Sequence, residues 1–208
     1  VKLIASLPRA PSSAAADRGT GLHHFAGLVI AGAAPESLVG KQHSNYTLNS
    51  IDARTALLPA VAAYGRFVGR AKNVTLERKV RIAQHVWGTA DILGHHKGVG
   101  LVGDFKFGSG VVEAKSNEQM LFYAAGALIG KQLPPSTSAL RLAIIQPANR
   151  KVLDEWEVDA KRVREFGAEV RAVAKIALTG NAPLHPGDKQ CAWCPAEAVC
   201  PVRKSVQG

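Results

Sequence analysis

The sequence predicts a mixed α/β domain in which a central sheet is flanked by helices. Stretches with the apolar spacing of amphipathic helices come first, and short runs in which apolar and polar residues alternate follow them. The run over residues 140–146 is almost entirely apolar, which is typical of a strand buried on both faces. With 208 residues, of which 47% are hydrophobic, the chain can bury one sizeable core. We therefore expect one domain over residues 1–180 and a cysteine-rich tail over residues 181–208 packed on that domain.

The first third of the chain predicts two helices after an irregular lead-in. Asp17 is a suitable cap for a helix over residues 18–32, because its carboxylate can accept a hydrogen bond from a free backbone amide. A loop follows, and either Asn49 or Ser50 can cap a second helix over residues 51–68. Both helices carry an apolar face that can pack on a sheet.

The rest of the domain predicts five strands and two helices. β-Branched and aromatic residues dominate the strand segments, and glycine or proline bounds most of them. The turn over residues 94–98 should join the second and third strands as a hairpin. In chain order we expect strands over residues 74–83, 86–93 and 99–107, a helix over 117–130, strands over 140–146 and 152–158, and a helix from a cap at Asp159 to about Leu178.

The charge balance favours a polyanionic partner. Lysine and arginine number 26 against 16 acidic residues, which gives a formal net charge of +10. A nucleic acid is the commonest partner for such an excess. No apolar run approaches the roughly 20 residues that span a bilayer, so we expect no membrane partner.

Two acidic residues lie on adjacent predicted strands where buried strands usually have none. Asp104 and Lys106 are two residues apart and therefore point to the same face, and Asp91 lies on the neighbouring strand. Burying such a pair would cost on the order of several kcal/mol unless the charges pair or hold an ion. Two carboxylates can converge on Mg²⁺ or Mn²⁺, and such ions support phosphodiester hydrolysis. The alternative is a plain surface salt bridge on an edge strand.

Four short motifs occur in a fixed order along the chain. They are Gly19-Thr20-x-x-His23, Gly88-x-x-Asp91, Asp104-x-Lys106 and Gln119-x-x-x-Tyr123. Together they resemble the motifs of RecB-type nucleases in the PD-(D/E)XK superfamily. The chain is most similar to the small RecB-like exonucleases with a cysteine cluster, including the CRISPR-associated ones and their phage-encoded relatives. This resemblance implies a restriction-endonuclease-like core.

The resemblance also implies a role for each matched residue. It implies metal ligands at His23, Asp91, Asp104 and the backbone carbonyl of Phe105, a catalytic lysine at Lys106, and a supporting pair at Gln119 and Tyr123 that steadies the lysine and the scissile phosphate. The implied function is a metal-dependent exonuclease that hydrolyses single-stranded DNA or duplex ends in phage or prokaryotic DNA processing. Recombination or CRISPR-adaptation proteins are the implied protein partners. The alternative function is a catalytically silent DNA- or protein-binding module on a nuclease scaffold.

Other polar residues near these motifs have simpler interpretations. Glu77 is a further candidate acid, but pairing with a lysine or arginine on its strand is favoured over a place in the site. Candidates for holding the DNA backbone are Lys72, Arg78, Lys79 and Arg81.

The three cysteines all lie near the end of the sequence, as Cys191, Cys194 and Cys200. A C-x2-C pair matches metal ligation in a reducing compartment, so we expect a cytoplasmic protein, and the resemblance implies a bacterial or phage-infected cell. The resemblance implies that the C-x2-C-x5-C spacing supplies three ligands to a 4Fe–4S cluster, with a fourth cysteine expected upstream of Val1. A Zn²⁺ site completed by His185 is the alternative, and three free buried cysteines are the third.

Overall fold

The computed structural model describes residues 12–179, 182–192 and 194–206. Backbone contacts divide the chain into two compact units. The larger unit is residues 12–169, and the described part of the smaller unit lies within residues 170–206. Among all the residues that the structure describes, no helix has both the length and the apolar character that crossing a membrane requires.

The larger unit contains a five-stranded sheet and a small two-stranded one. The strands are β1 Gln42–His43, β2 Tyr46–Thr47, β3 Lys72–Ala83, β4 Val86–His96, β5 Val99–Phe105, β6 Ala139–Ile145 and β7 Leu153–Asp159. In the large sheet the spatial order is β3-β4-β5-β6-β7, and only β5 and β6 are parallel. The sheet is therefore mixed, as predicted.

Helices flank this sheet. They are α1 Ala14–Ile30, α2 Ser50–Asp52, α3 Leu58–Val68, α4 Glu118–Ile129 and α5 Ala160–Leu178, with a 3-10 turn at Pro35–Leu38 and a π-helical turn at Ala53–Leu57 that joins α2 to α3. The predicted mixed α/β architecture, with a central sheet flanked by helices, is confirmed.

Several local predictions differ from the structure, and β5 ends at Phe105 instead of residue 107, so Lys106 follows the strand. Helix α1 begins four residues before the predicted start, because the Ser13 side chain caps it by accepting a hydrogen bond from the Ala16 amide at 3.2 Å. Strand β4 continues through His96, so the turn is only Lys97-Gly98, whose positive φ angles of 46° and 84° suit a tight hairpin. The predicted loop before α2 contains the short β1–β2 pair. The predicted cap at Asn49 is confirmed.

One apolar cluster packs α1 and α3 against the sheet. Its largest fully buried members are Phe25 and Phe67 from the helices and Ile92 from β4. Helix α4 packs on β3, where a side chain at Gly126 would lie 3.0 Å from Val80. The layers therefore fix α1 and α4 relative to β4 and β5, the strands with the predicted acids.

The smaller unit carries short helices, α6 Asp188–Cys191 and α7 Pro201–Val206, with a 3-10 turn at Glu197–Val199. The Arg203 guanidinium joins these elements through ion pairs with Asp188 at 3.5 Å and Glu197 at 3.4 Å.

Candidate active site

Three potential metal ligands converge from three elements of the larger unit. His23 of α1, Glu77 of β3 and Asp91 of β4 each offer one ligand atom within 4.8 Å of the other two. His23 Nδ1 lies 3.3 Å from Asp91 Oδ2 and 4.0 Å from Glu77 Oε1. Two atoms bound to one Mg²⁺ at about 2.1 Å each lie at most about 4.2 Å apart, so both distances fit a shared ion. A nitrogen and two carboxylate donors suit Mn²⁺ or Mg²⁺.

Helix α1 presents His23 beside its buried face. Leu22 and Ala26 are fully buried in the core, and the imidazole lies edge-on to the rings of Phe105 and Phe107 at 6.0 and 5.3 Å. Burial lowers the pKa of His23 from its ordinary value. The imidazole is therefore kept neutral, which is the form that binds a metal.

Glu77 reaches this set from a strained position in β3. Its φ of 50° is left-handed, which is costly for a residue with a side chain. Its neighbours Leu76 and Arg78 pair with Ile92 and Ala90, so Glu77 lies across from Asp91. The expected pairing of Glu77 with a lysine or arginine does not occur among the described residues, and its carboxylate instead approaches His23.

Asp91 is held by the backbone of the neighbouring strand. The Phe105 amide donates a hydrogen bond of 2.7 Å to Asp91 Oδ2. Burial of the carboxyl, followed by the nearby charge of Asp104, raises the pKa of Asp91 to about 8. The site therefore favours added positive charge, whether a proton or a cation.

A second set of side chains forms a continuous polar chain beside the first. Lys106 Nζ lies 2.7 Å from Asp104 Oδ2 in an ion pair. The same ammonium donates to Gln119 Oε1 at 2.9 Å. Gln119 Nε2 in turn donates to Asp104 Oδ1 at 3.2 Å and to the Tyr123 hydroxyl at 2.7 Å.

Two structural features place Gln119 and Tyr123 in this chain. Asn117 caps α4 by accepting a hydrogen bond from the Met120 amide at 3.2 Å, which fixes where the helix begins. The two side chains then stand one turn apart on the same face. Gly88 of β4 leaves room for the Tyr123 ring, because a Cβ there would lie 2.8 Å from Cε1 of that ring.

Asp104 is the most buried acid of the site, with 3% of its surface exposed. Burial raises the pKa of its carboxyl, and the charge of Lys106 opposes that rise. Both of its oxygens face Lys106 or Gln119, and Asp104 is not a member of the three-ligand set. The structure thus places His23 and Asp91 together as predicted, adds Glu77 to them, and puts Asp104 with Lys106.

The ligand set opens into a cleft of about 690 Å³. Phe105 and Leu76 form part of its wall, and the rings of His24 and His43 stack at one side with centroids 3.8 Å apart. This volume lies within the range of about 300–1,000 Å³ found for small-molecule sites. The cleft can therefore admit a substrate group of nucleotide size.

The three cysteines lie in the smaller unit as free thiols. A tight backbone turn joins the first two, since the Cys194 amide donates to the Cys191 carbonyl at 2.9 Å. Their sulfurs do not form a three-ligand set within 4.8 Å, with each other or with His185, in the described part of the chain. Two sulfurs bound to one tetrahedral Zn²⁺ at about 2.3 Å each lie about 3.8 Å apart, so as placed the cysteines do not fit a preformed zinc site.

Fold and site together define a mixed α/β protein with a histidine–carboxylate cleft beside a buried aspartate–lysine pair. Over residues 1–207 the chain matches the family described as "Protein of unknown function (DUF2800)", and it belongs to that family. A solved structure titled "Crystal structure of SSO0001" is similar to it, with 17% sequence identity, a TM-score of 0.32 and 72% of each chain covered.

Proposed function

We propose that this protein is a divalent-metal-dependent deoxyribonuclease of the PD-(D/E)XK superfamily, acting as an exonuclease in the cytoplasm of a bacterial or phage-infected cell. The observation that carries the proposal is the juxtaposition of two sets of side chains. One set, His23, Glu77 and Asp91, offers donors at distances that suit one metal ion. The other set places a lysine against a buried aspartate on the adjacent strand.

The residues of the first set would hold Mg²⁺ or Mn²⁺. When bound, such an ion neutralises charge that develops on a phosphate and makes water more acidic. His23 contributes a neutral nitrogen, since burial lowers its pKa. Asp91 is already oriented by the Phe105 amide, so little rearrangement of its carboxylate is needed. Asp104 on the adjacent strand adds negative charge beside this set, since its charge contributes to the raised pKa of Asp91.

The residues of the second set would position the reacting groups. The Lys106 ammonium is held between Asp104 and Gln119, and it can donate to an attacking water or to a phosphate oxygen. Gln119 also donates a hydrogen bond to the Tyr123 hydroxyl, which holds that hydroxyl in place. The hydroxyl can then donate its own proton in a hydrogen bond to the scissile phosphate. The net charge of +10 supports a polyanionic substrate.

The cysteine tail enters the proposal only as a structural element. The C-x2-C-x5-C spacing supports a 4Fe–4S cluster. Zn²⁺ is the alternative, and the sulfurs would have to move closer together to bind it. No step of the hydrolysis is assigned to this tail. Metal analysis of anaerobically purified protein, together with its visible absorbance, distinguishes iron–sulfur, zinc and metal-free forms.

A cleavage assay on end-labelled single-stranded and duplex DNA tests the proposed activity. We expect cleavage with Mg²⁺ or Mn²⁺, its loss in EDTA, and its loss in Asp104→Asn, because the amide can neither pair with Lys106 nor serve as a strong metal ligand. Glu165→Gln is a matched control, since this exposed acid lies on the outer surface of α5. Cleavage retained by pure, folded Asp104→Asn would overturn the assignment.

A further inference from the structure

One large aromatic side chain near the site is exposed. Trp87 of β4 has 52% of its surface exposed, which is uncommon for a tryptophan in a sheet. The Lys79 ammonium lies over the indole, 3.9 Å from the ring centroid. This cation–π contact places a positive charge over one face of the exposed indole.

Strand pairing adds a second basic residue to this surface. Arg81 is directly opposite Trp87, and Lys79 is opposite Thr89. Directly opposite residues of an antiparallel pair share a face, and residues two apart on a strand do as well. Lys79 and Arg81 are both exposed, and neither forms an ion pair with any residue that the structure describes.

The opposite face of the same hairpin is already occupied. Val80 is fully buried against α4, and a Cβ at Gly88 would meet the Tyr123 ring. Trp87 and its basic neighbours therefore lie on the outer face, where no part of the larger unit needs them for packing. Trp87 precedes Asp91 by four residues, which is about 13 Å along a strand.

We propose that Trp87, Lys79 and Arg81 form a stacking platform that binds single-stranded DNA leading to the cleft. This inference rests on the proposed nuclease function and names its preferred substrate. A base can stack on the indole once the flexible Lys79 side chain leaves the ring face, and the two cations can then contact the adjacent phosphates. In a duplex the bases are already stacked and paired, so only an end could use the platform. The lysine-bound indole thus favours an unpaired strand over a duplex.

Binding measured in EDTA tests the platform without any cleavage. The probes are a labelled oligothymidylate of about 16 nucleotides, the upper site size for such surfaces, and a labelled blunt duplex. We expect Trp87→Ala to weaken binding of the single strand about 5- to 150-fold, the range known for loss of one base stack. Trp87→Phe should restore most of the affinity, and duplex binding should change less than about twofold.

The contribution of Lys79 and Arg81 is measured by repeating the binding titrations at several salt concentrations. Lys79→Ala and Arg81→Ala should each reduce the slope of log K against log salt by about 0.7, as expected for one phosphate contact on a single strand. Lys161→Ala, an exposed lysine of α5, is the matched control and should leave the slope unchanged.

The outcomes separate this inference from the nuclease assignment. Equal affinity of wild type and Trp87→Ala for the single strand would overturn the platform even if the protein cleaves DNA. Equal losses on the single strand and the duplex would overturn the single-strand preference. Trp87-dependent binding without cleavage in metal would support the platform and overturn the nuclease.

Discussion

Substitution of Gly88 by alanine tests the contact that holds Tyr123 in the site. Gly88 is the first residue of the motif that ends at Asp91, and its backbone faces the aromatic ring of Tyr123. An alanine Cβ would lie 2.8 Å from Cε1 of Tyr123 and 3.3 Å from Cε1 of Phe122. Both distances are shorter than ordinary van der Waals contact.

The size of the effect follows from these distances. The Tyr123 ring must move by at least about 0.6 Å to regain an ordinary contact of 3.4 Å. Such a shift, directed away from Gly88, stretches or breaks the 2.7 Å hydrogen bond from Gln119 to the Tyr123 hydroxyl. Overpacking of this kind costs about 1–3 kcal/mol of unfolding free energy. Because Gln119 also holds Lys106, cleavage should fall by up to about 100-fold.

Urea unfolding followed by circular dichroism measures the first effect, and DNA cleavage at saturating Mn²⁺ measures the second. Gly65→Ala is the matched control, because a Cβ on this exposed residue of α3 meets nothing within 4 Å. It should stabilise the protein by roughly 0.5–1 kcal/mol, as alanine does in a helix. If Gly88→Ala matched wild type in both assays, the position of the Tyr123 ring would not depend on the absence of a side chain at Gly88.

Three further substitutions test the site and its support. Lys106→Met should abolish cleavage but cost at most about 3–5 kcal/mol in urea unfolding, the range for breaking a buried ion pair, and full activity would refute its role. Glu77→Gln should weaken Mn²⁺ binding in calorimetry by at least the roughly 10-fold lost when a group that only orients a metal ligand is changed, and unchanged binding would remove Glu77 from the ligand set. Hydrogen bonds from Arg18 lower the pKa of Asp52 below its ordinary value of 3.8. These bonds therefore stabilise the folded protein fully above pH 3.8. This stabilisation is lost as the pH falls through the lower pKa that Asp52 has in the folded state. Asp52→Asn should therefore lower the free energy of unfolding by about 1–3 kcal/mol at neutral pH and make it less sensitive to acid. If the free energy of unfolding of this variant fell with acid as steeply as that of wild type, Asp52 would not be a source of the acid sensitivity.

Local periodicity predicts two contacts of the lysine half of the site, whereas the join between them was implied only by the family resemblance. Asp104 lies in β5 and Lys106 directly follows that strand, two residues later, and their side chains meet at 2.7 Å. Gln119 and Tyr123 are four apart in a helix, and their side chains meet at the same distance. Both contacts depend only on the repeat of a single element, which sequence alone specifies.

Glu77 could not be placed from local periodicity because its position depends on a register shift. If the register of the Ala83–Val86 pair next to the turn continued unchanged along both strands, Arg78 would lie opposite Asp91. A shift between Arg81 and Ala83 moves the pairing by one residue, which brings Glu77 there instead. A one-residue slip changes the face of every side chain beyond it, and the sequence carries no strong signal for such a bulge.

The two halves of the site are joined through one short segment of β5. The Phe105 amide holds Asp91 in the ligand set, while its neighbours Asp104 and Lys106 begin the polar chain that leads to Gln119. A displacement of this segment would therefore change the metal ligands and the lysine together. The parallel pairing of β5 with β6, which continues from Val99 to Phe105, opposes such a displacement because every residue of the segment up to Phe105 lies in the ladder. Joining both halves through a central strand thus helps to keep their relative geometry fixed, which the proposed reaction, with a metal and a lysine at one phosphate, needs.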